Sequence, residues 1–322
     1  MATSLYLMPT HRCNCACTYC YLAPQEKLKD GDDAFFQQVL SRFLAEQEDG
    51  APGLELRFIG GEPLLKAELV ADLSRRFLAR HPTARVVVNT NGTLITEAYL
   101  DALGASGAQV EHIVSLDGPP AIHDARRLLI AGGSAFSATL AGLRALQARG
   151  LPRLVNAVLD PHSAQGLAWL MSFVRDALEV SELSLSLLHR PDAPLSVAQR
   201  YELLAGAYAT AELHEVRVGG HHRLLLGHAI PELRCRAGEK TVVVTCDGRL
   251  NACQRFVGSR ESGLRLEATT ILREVRVDHA VASCCYGPET RALGELLLAL
   301  YRARYPHYLE VHALDRRLFG VI

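Results

Sequence analysis

Residues 4–22 read SLYLMPTHRCNCACTYCYL, an apolar run of strand character followed at once by Cys13, Cys15, Cys17 and Cys20. The spacing Cys13-x3-Cys17-x2-Cys20 presents several thiols from one short loop. Thiolates are soft ligands, suited to iron–sulfur clusters and to zinc. Three of them can hold three irons of a 4Fe-4S cluster and leave the fourth iron open, as a catalytic metal site keeps one position free. Cys15 is then a spare. The bland alternative is a zinc-stabilised α/β binding protein, in which Cys17-x2-Cys20 supplies half the ligands and two distant cysteines the rest.

Outward from this loop, short Val-, Ile- and Leu-rich runs alternate with longer segments of helical period. Strands are expected over residues 4–8, 54–59, 85–89, 110–115, 153–158 and 183–188, and helices over 33–46, 63–80, 96–103, 137–149, 164–178 and 196–211. Regular alternation predicts a parallel sheet with right-handed crossovers. Six such units give an α/β fold, a partial (β/α)6 TIM-like barrel, with active groups at the C-terminal ends of the strands. After about residue 211 the pattern changes. TVVVTCDGRLNAC (241–253) reads as a β-hairpin with a two-residue type I′ turn at Asp247-Gly248, and residues 295–304 as a late helix. The expected organisation is a core over 1–212 and a small hairpin-plus-helix domain over 213–322.

Composition narrows the class. With 34 Lys plus Arg against 35 Asp plus Glu, no basic field invites nucleic acid. The N-terminus has no signal-peptide pattern and no apolar run approaches the ~20 residues that span a bilayer. A cytoplasmic protein without a membrane partner is expected. In that reducing compartment nine cysteines favour metal or catalytic roles over disulfides. Four lie in the first loop, and Cys235, Cys246, Cys253, Cys284 and Cys285 form a second group, so two metal centres are expected.

Three further motifs follow the second, third and fourth expected strands: Gly60-Gly61-Glu62-Pro63, Asn89-Thr90-Asn91-Gly92 and Ser115-Leu116-Asp117-Gly118. Glycines at 60 and 61 permit close backbone approach. Asn91 and Ser115 are short polar groups able to bond a ribose or a carboxylate, although each alone is equally a turn or cap residue. Together with the loop THRCNCACTYCYL, where Tyr19 precedes the last cysteine, these motifs resemble in order the radical S-adenosylmethionine superfamily over residues 4–127. The resemblance implies that Cys13, Cys17 and Cys20 ligate the cluster, and that Tyr19, Gly60, Gly61, Glu62, Asn91 and Ser115 surround S-adenosylmethionine. It also implies that Arg127, in HDARR, pairs with the methionine carboxylate in preference to Arg126, and that Leu187 or Leu188 packs on adenine. In such enzymes the reduced cluster passes an electron to S-adenosylmethionine, and the resulting 5′-deoxyadenosyl radical abstracts a substrate hydrogen.

The second cysteine group has its own resemblance. If Asp247-Gly248 form the turn, Cys246 pairs with Arg249 and Val242 with Cys253, which puts Cys246 roughly 13 Å along the hairpin from Cys253. One cubane cannot take both, so Cys246 is a tip residue. Cys235, Cys253, Cys284 and Cys285 remain as ligands of one auxiliary 4Fe-4S cluster. CRAGEKTVVVTCDGRLNACQRFVG (235–258) resembles the start of the SPASM and Twitch extensions of peptide-modifying radical enzymes, although adjacent Cys284 and Cys285 depart from the usual spaced pairs. Sulfatase maturases carry an aspartate base directly after the hairpin cysteine, where this chain has Gln254, which cannot take up a proton as a carboxylate does. The resemblance therefore implies a maturase that crosslinks or epimerises a ribosomally made precursor peptide, with formylglycine formation as the alternative. A reductant such as flavodoxin or ferredoxin is implied. Because only twelve residues precede Cys13, the expectation is either a separate leader-peptide-binding protein as partner or direct docking of the substrate. His11, His123, His221, His222 and Asp247 are given no role.

Overall fold

The structure, a computed structural model, describes residues 3–22, 28–188, 194–230, 235, 237–254, 257, 264–265 and 290–310. Cys284 and Cys285 lie outside the described residues. The chain divides into two compact units, one of residues 1–115, 127–153 and 236–277, the other of 116–126, 154–235 and 278–322.

In the first unit the strands are β1 (Ser4–Met8), β2 (Cys15–Cys17), β3 (Glu55–Phe58), β4 (Arg85–Thr90), β5 (Val110–Ser115), β6 (Arg127–Leu129), β10 (Thr241–Thr245), β11 (Arg249–Asn251) and β12 (Leu264–Arg265). The main sheet runs β12-β11-β10-β1-β3-β4-β5, with β10, β1, β3, β4 and β5 mutually parallel and β11 and β12 antiparallel at the edge. Leu5, Leu7, Leu56, Phe58, Val86, Val87 and Val88 are fully buried within it, as expected of parallel strands covered on both faces. This unit also holds the helices α1 (Asp33–Ala45), α2 (Ala67–Arg80), α3 (Glu97–Leu103) and α5 (Ala135–Ala148); α2 packs on β3 and β4 and α5 on β5, and α1 and α3 lie against α2. Side-chain caps set the starts of α1, α3 and α5: Asp32, Thr96 and Ser134 accept from the backbone N–H of Ala34, Tyr99 and Ser137. The N-terminal ends of the strands are tied by ion pairs, Glu55 with Arg57 at 2.9 Å and Arg85 with Glu55 and Glu111 at 3.0 and 3.2 Å. The C-terminal ends carry the motifs.

The second unit holds α4 (Pro120–Arg126), α6 (Leu167–Asp176), α7 (Val197–Leu213), α8 (Arg291–Arg304) and the parallel strands β7 (Arg153–Leu159), β8 (Glu182–Leu187) and β9 (Arg217–Gly219). A capping box between Ser196 and Gln199 starts α7. Tyr208, Tyr301, Tyr305 and Tyr308 form its aromatic core, with the Tyr301 hydroxyl donating to Tyr208 at 2.6 Å.

All six expected strands and six expected helices are present, and α8 starts four residues before the expected position. The fold is α/β with a mostly parallel sheet. Among the described residues the strands close into a barrel in neither unit, which fits an open, partial TIM-like architecture.

The hairpin differs from expectation. Val243 pairs with Asn251 and Val244 with Leu250, so the loop is Cys246-Asp247-Gly248, three residues rather than two. Gly248 N–H donates to Thr245 C=O at 3.0 Å and Gly248 has φ +75°, the geometry of a type I turn closed by a left-handed glycine. The Thr245 hydroxyl fixes this register, accepting from Arg249 N–H at 3.2 Å and donating to Asp247 Oδ1 at 2.6 Å. Cys246 thus leaves the ladder, and instead of pairing with Arg249 it is buried.

Candidate active site

The cysteine loop follows β1 and lies over the end of β3. Gly61 N–H donates to Thr10 C=O at 3.0 Å and Glu62 N–H to Arg12 C=O at 2.8 Å. A Cβ on Gly61 would meet Arg12 O at 2.0 Å and His11 O at 2.5 Å, and one on Gly60, where φ is +124°, would meet Thr10 O at 2.7 Å. The two glycines are therefore required by the close approach of the cysteine loop's own backbone. The Gly60 carbonyl accepts from the Tyr21 hydroxyl at 3.3 Å.

Glu62, 1% exposed, ties β3 to β4. Its Oε1 accepts from Leu64 N–H at 3.0 Å and the Thr90 hydroxyl at 2.7 Å, and its Oε2 from Asn91 N–H at 2.8 Å. Burial pushes its pKa up to about 7, against the pull of those three hydrogen bonds. Asn91 next in line is directed at the cysteine loop. Its Nδ2 donates to Asn14 Oδ1 at 2.8 Å and approaches the sulfurs of Cys15 and Cys13 at 3.4 and 3.8 Å. Cys15 N–H also points to Cys13 Sγ at 3.4 Å.

A short antiparallel ladder, invisible in the sequence pattern, completes the loop: Cys15 pairs with Leu129, Ala16 with Leu128 and Cys17 with Arg127. It brings Arg127 to the loop, with its guanidinium over the face of Tyr19, 5.3 Å from the ring centroid. Arg126 is committed elsewhere, to Asp117 at 3.3 Å and Asp160 at 2.5 Å in the second unit. Cys20 N–H donates to Cys17 C=O at 3.2 Å, turning the end of the loop. Cys13 and Cys17 are half-buried, Cys20 is exposed and Cys15 is buried. The Cys15 thiol is held well above the ordinary range, chiefly by its hydrogen bond with Cys13 and then by burial.

Ser115 ends β5 and is half-buried in the first unit, and Leu187 ends β8 and is half-buried in the second. Cys235 belongs to the second unit and Cys253 to the first, both half-buried. Among the described residues no group of three or more His, Cys, Asp or Glu is placed to hold a metal ion. Three of the residues given no role by sequence have structural partners. His123 Nδ1 accepts from Asp117 N–H at 3.2 Å, His222 lies between the Tyr208 hydroxyl and Leu185 C=O, and Asp247 pairs with Lys29 at 3.0 Å. Asn14 and Thr93, which bond each other at 2.7 Å beside Asn91, were not singled out by sequence. As ordinary loop residues they carry no motif signal.

A three-thiol loop set at the C-terminal ends of parallel strands has the soft donor set of an enzyme that carries an iron–sulfur cluster. Residues 7–167 match the Radical SAM superfamily. A GTP 3',8-cyclase of Mycolicibacterium smegmatis is 31% identical over 277 residues, 78% of this chain and 74% of that protein. A serine-type anaerobic sulfatase-maturating enzyme of Klebsiella aerogenes is 34% identical over 136 residues, 41% of this chain but only 33% of its own length. The solved structure of native anSMEcpe with bound AdoMet and Kp18Cys peptide shares the fold, with a TM-score of 0.72, 16% identity and coverage of 98% of this chain and 99% of that one. The chain belongs to the radical SAM superfamily. It is an enzyme that uses a 4Fe-4S cluster and S-adenosylmethionine, which sets aside the zinc-stabilised binding protein. No helix among the described residues is long and apolar enough to cross a membrane.

Proposed function

We propose that this enzyme modifies a ribosomally made precursor peptide, crosslinking or epimerising a residue after hydrogen abstraction. The observation that carries the reading is the second cysteine group, Cys235 and Cys253 bracketing the β10–β11 hairpin, which suits an auxiliary cluster of the SPASM or Twitch kind. Cys284 and Cys285 would complete that ligand set.

In this reading Cys13, Cys17 and Cys20 hold the catalytic cluster, which when loaded with S-adenosylmethionine supplies a 5′-deoxyadenosyl radical. The chain's own residues position the cosubstrate. Arg127, braced over Tyr19, would pair with its carboxylate; Ser115 and the Gly60-Gly61 backbone would bond its polar groups; Leu187 would pack on adenine. Glu62 holds the ends of β3 and β4 together. A flavodoxin or ferredoxin supplies the electron in the cytoplasm, and a separate leader-binding protein presents the peptide.

Two observations favour other substrates. The cyclase relative spans most of this chain, which favours a purine nucleoside triphosphate. The sulfatase-maturase relative favours formylglycine formation, against which stands Gln254, unable to act as the carboxylate base. The decisive experiment incubates the anaerobically reconstituted full chain with reductant and S-adenosylmethionine against three substrates: precursor peptides encoded beside its gene, a sulfatase-derived peptide, and GTP. A mass change in a precursor peptide with matching 5′-deoxyadenosine is expected. Turnover of GTP or of the sulfatase peptide, with the precursor peptides unchanged, overturns the proposal.

A further inference from the structure

We propose that Asn91 is a positioning residue that tunes the reduction potential of the catalytic cluster by donating an N–H···S bond toward the Cys13 sulfur. The inference rests on the reading that Cys13, Cys17 and Cys20 are the cluster ligands. It gives Asn91 a different task from the ribose or carboxylate contact expected from sequence.

The orientation of the amide is fixed by its partners. Asn91 Oδ1 accepts from Thr93 N–H at 2.9 Å and from the Thr93 hydroxyl at 2.7 Å, and that hydroxyl in turn accepts from Asn14 Nδ2 at 2.7 Å. Two donors on one side identify it as the oxygen, so the NH2 must face the cysteine loop. One of its hydrogens goes to Asn14 Oδ1 at 2.8 Å. The other faces Cys15 Sγ at 3.4 Å and Cys13 Sγ at 3.8 Å.

The backbone of Asn91 is equally constrained. Its N–H donates to the buried Glu62 carboxylate and its C=O accepts from the Thr139 hydroxyl at 2.8 Å. Gly92, at φ +82°, has no room for a Cβ, which would meet Val114 Cγ1 at 2.6 Å. The donor is therefore held in place before the cluster arrives. Both of its hydrogens and both lone pairs of its oxygen are engaged by the chain.

Cluster potential responds to hydrogen bonds on the sulfurs, because a donor stabilises the extra negative charge of the reduced state and raises the potential. Cys13 Sγ receives this influence from two directions, the Asn91 amide and the Cys15 backbone N–H at 3.4 Å. Only the first can be removed by a side-chain substitution.

The test is an EPR-monitored redox titration of the anaerobically reconstituted full chain, following the signal that changes on adding S-adenosylmethionine, with iron and sulfide counted in the same samples. Asn91→Leu, close in size but without a donor, is expected to keep its iron and to show a midpoint more negative by about tenfold in the one-electron equilibrium, ~59 mV. Thr93→Val, which removes one of the two bonds that orient the amide, is expected to shift it in the same direction by less. An unchanged midpoint at full iron content in both variants overturns the proposal and leaves the ligand reading intact. If Asn91→Leu loses its cluster, pulsed EPR on the wild-type chain with 15N-labelled asparagine side chains decides: a weak 15N coupling to the reduced cluster is expected, and its absence overturns the proposal. Retention of the S-adenosylmethionine-sensitive signal after Cys13, Cys17 and Cys20 are all replaced by alanine overturns the ligand reading itself, and this proposal with it.

Discussion

Cys15 and Cys246 are both buried thiols close to a chain segment that leaves β1, yet their surroundings differ. Cys15 is 3% exposed and lies among polar partners, beside the Asn91 amide and the Cys13 sulfur, on a strand paired with β6. Cys246 is 8% exposed and fills the space left by a missing side chain: a Cβ on Gly31 would come within 3.1 Å of its own Cβ. Burial pushes its thiol up to about 12. One cysteine belongs to a polar shell around a loop of ligands and the other to packing. Similar burial of two cysteines therefore says little, and what each sulfur packs against, the ligand loop or the Gly31 backbone, separates the two roles.

The largest expected effect tests the polar loop. Replacing Cys13, Cys17 and Cys20 together by alanine should remove the catalytic cluster and bring 5′-deoxyadenosine formation down to background. Mass spectrometry of the nucleoside and iron counting check this, and retained turnover would break the contrast. Next, Cys253→Ala should lower the iron content by roughly half, as expected for loss of one of two four-iron clusters, while the S-adenosylmethionine-sensitive EPR signal persists.

Gly61→Ala probes the contact beneath the loop. Because the added methyl would press on two backbone carbonyls that cannot rotate away, a loss of about 1–3 kcal/mol is expected in denaturant melts, together with poorer cluster loading.

The carboxylates of the two regions titrate in opposite senses. Glu62 has a folded pKa above its unfolded value, so the folded chain binds the proton more tightly and stability falls as pH rises from about 4.5 to about 7. Burial would also raise Asp247, but the Thr245 hydroxyl and Lys29 outweigh it and hold the group below its ordinary value. Its contribution is present above pH 3.8 and is lost as pH falls through the depressed value. Denaturant melts of the cluster-free chain across pH should show Glu62→Gln flattening the neutral limb, where one proton corresponds to a slope of at most ~1.4 kcal/mol per pH unit. Asp247→Asn should flatten only the acid limb. A neutral limb of unchanged slope in Glu62→Gln would show that another group carries it. The smallest effect belongs to Cys246→Ala, expected to cost about 1 kcal/mol through a lost sulfur contact and to leave the iron count unchanged.

How much was legible follows from the same contrast. The strands leading to the motifs were readable because parallel strands buried on both faces are runs of Val, Leu and Ile, and their helices carry Asp, Thr and Ser caps. Cys-Ala-Cys and Arg-Leu-Leu give no such signal. At three residues each, β2 and β6 exist through pairing with one another. The hairpin was read one residue out of register. Asp-Gly is compatible with a two-residue turn, and only the Thr245 hydroxyl, reaching Arg249 and Asp247, selects the wider loop. In the candidate site the residue types were apparent, but the direction of the Asn91 amide depends on Thr93 and Asn14, which no motif marks.

The pairing of Cys15 with Leu129 also sets an order of events during synthesis. The cysteine loop is made before its partner strand, which comes more than a hundred residues later. At ~5–20 residues per second, the thiols wait for seconds before the ladder that frames them can form. A cluster delivered earlier would meet a loop with no Arg127 beside it, so maturation of this enzyme is expected to follow, rather than guide, the folding of its first unit.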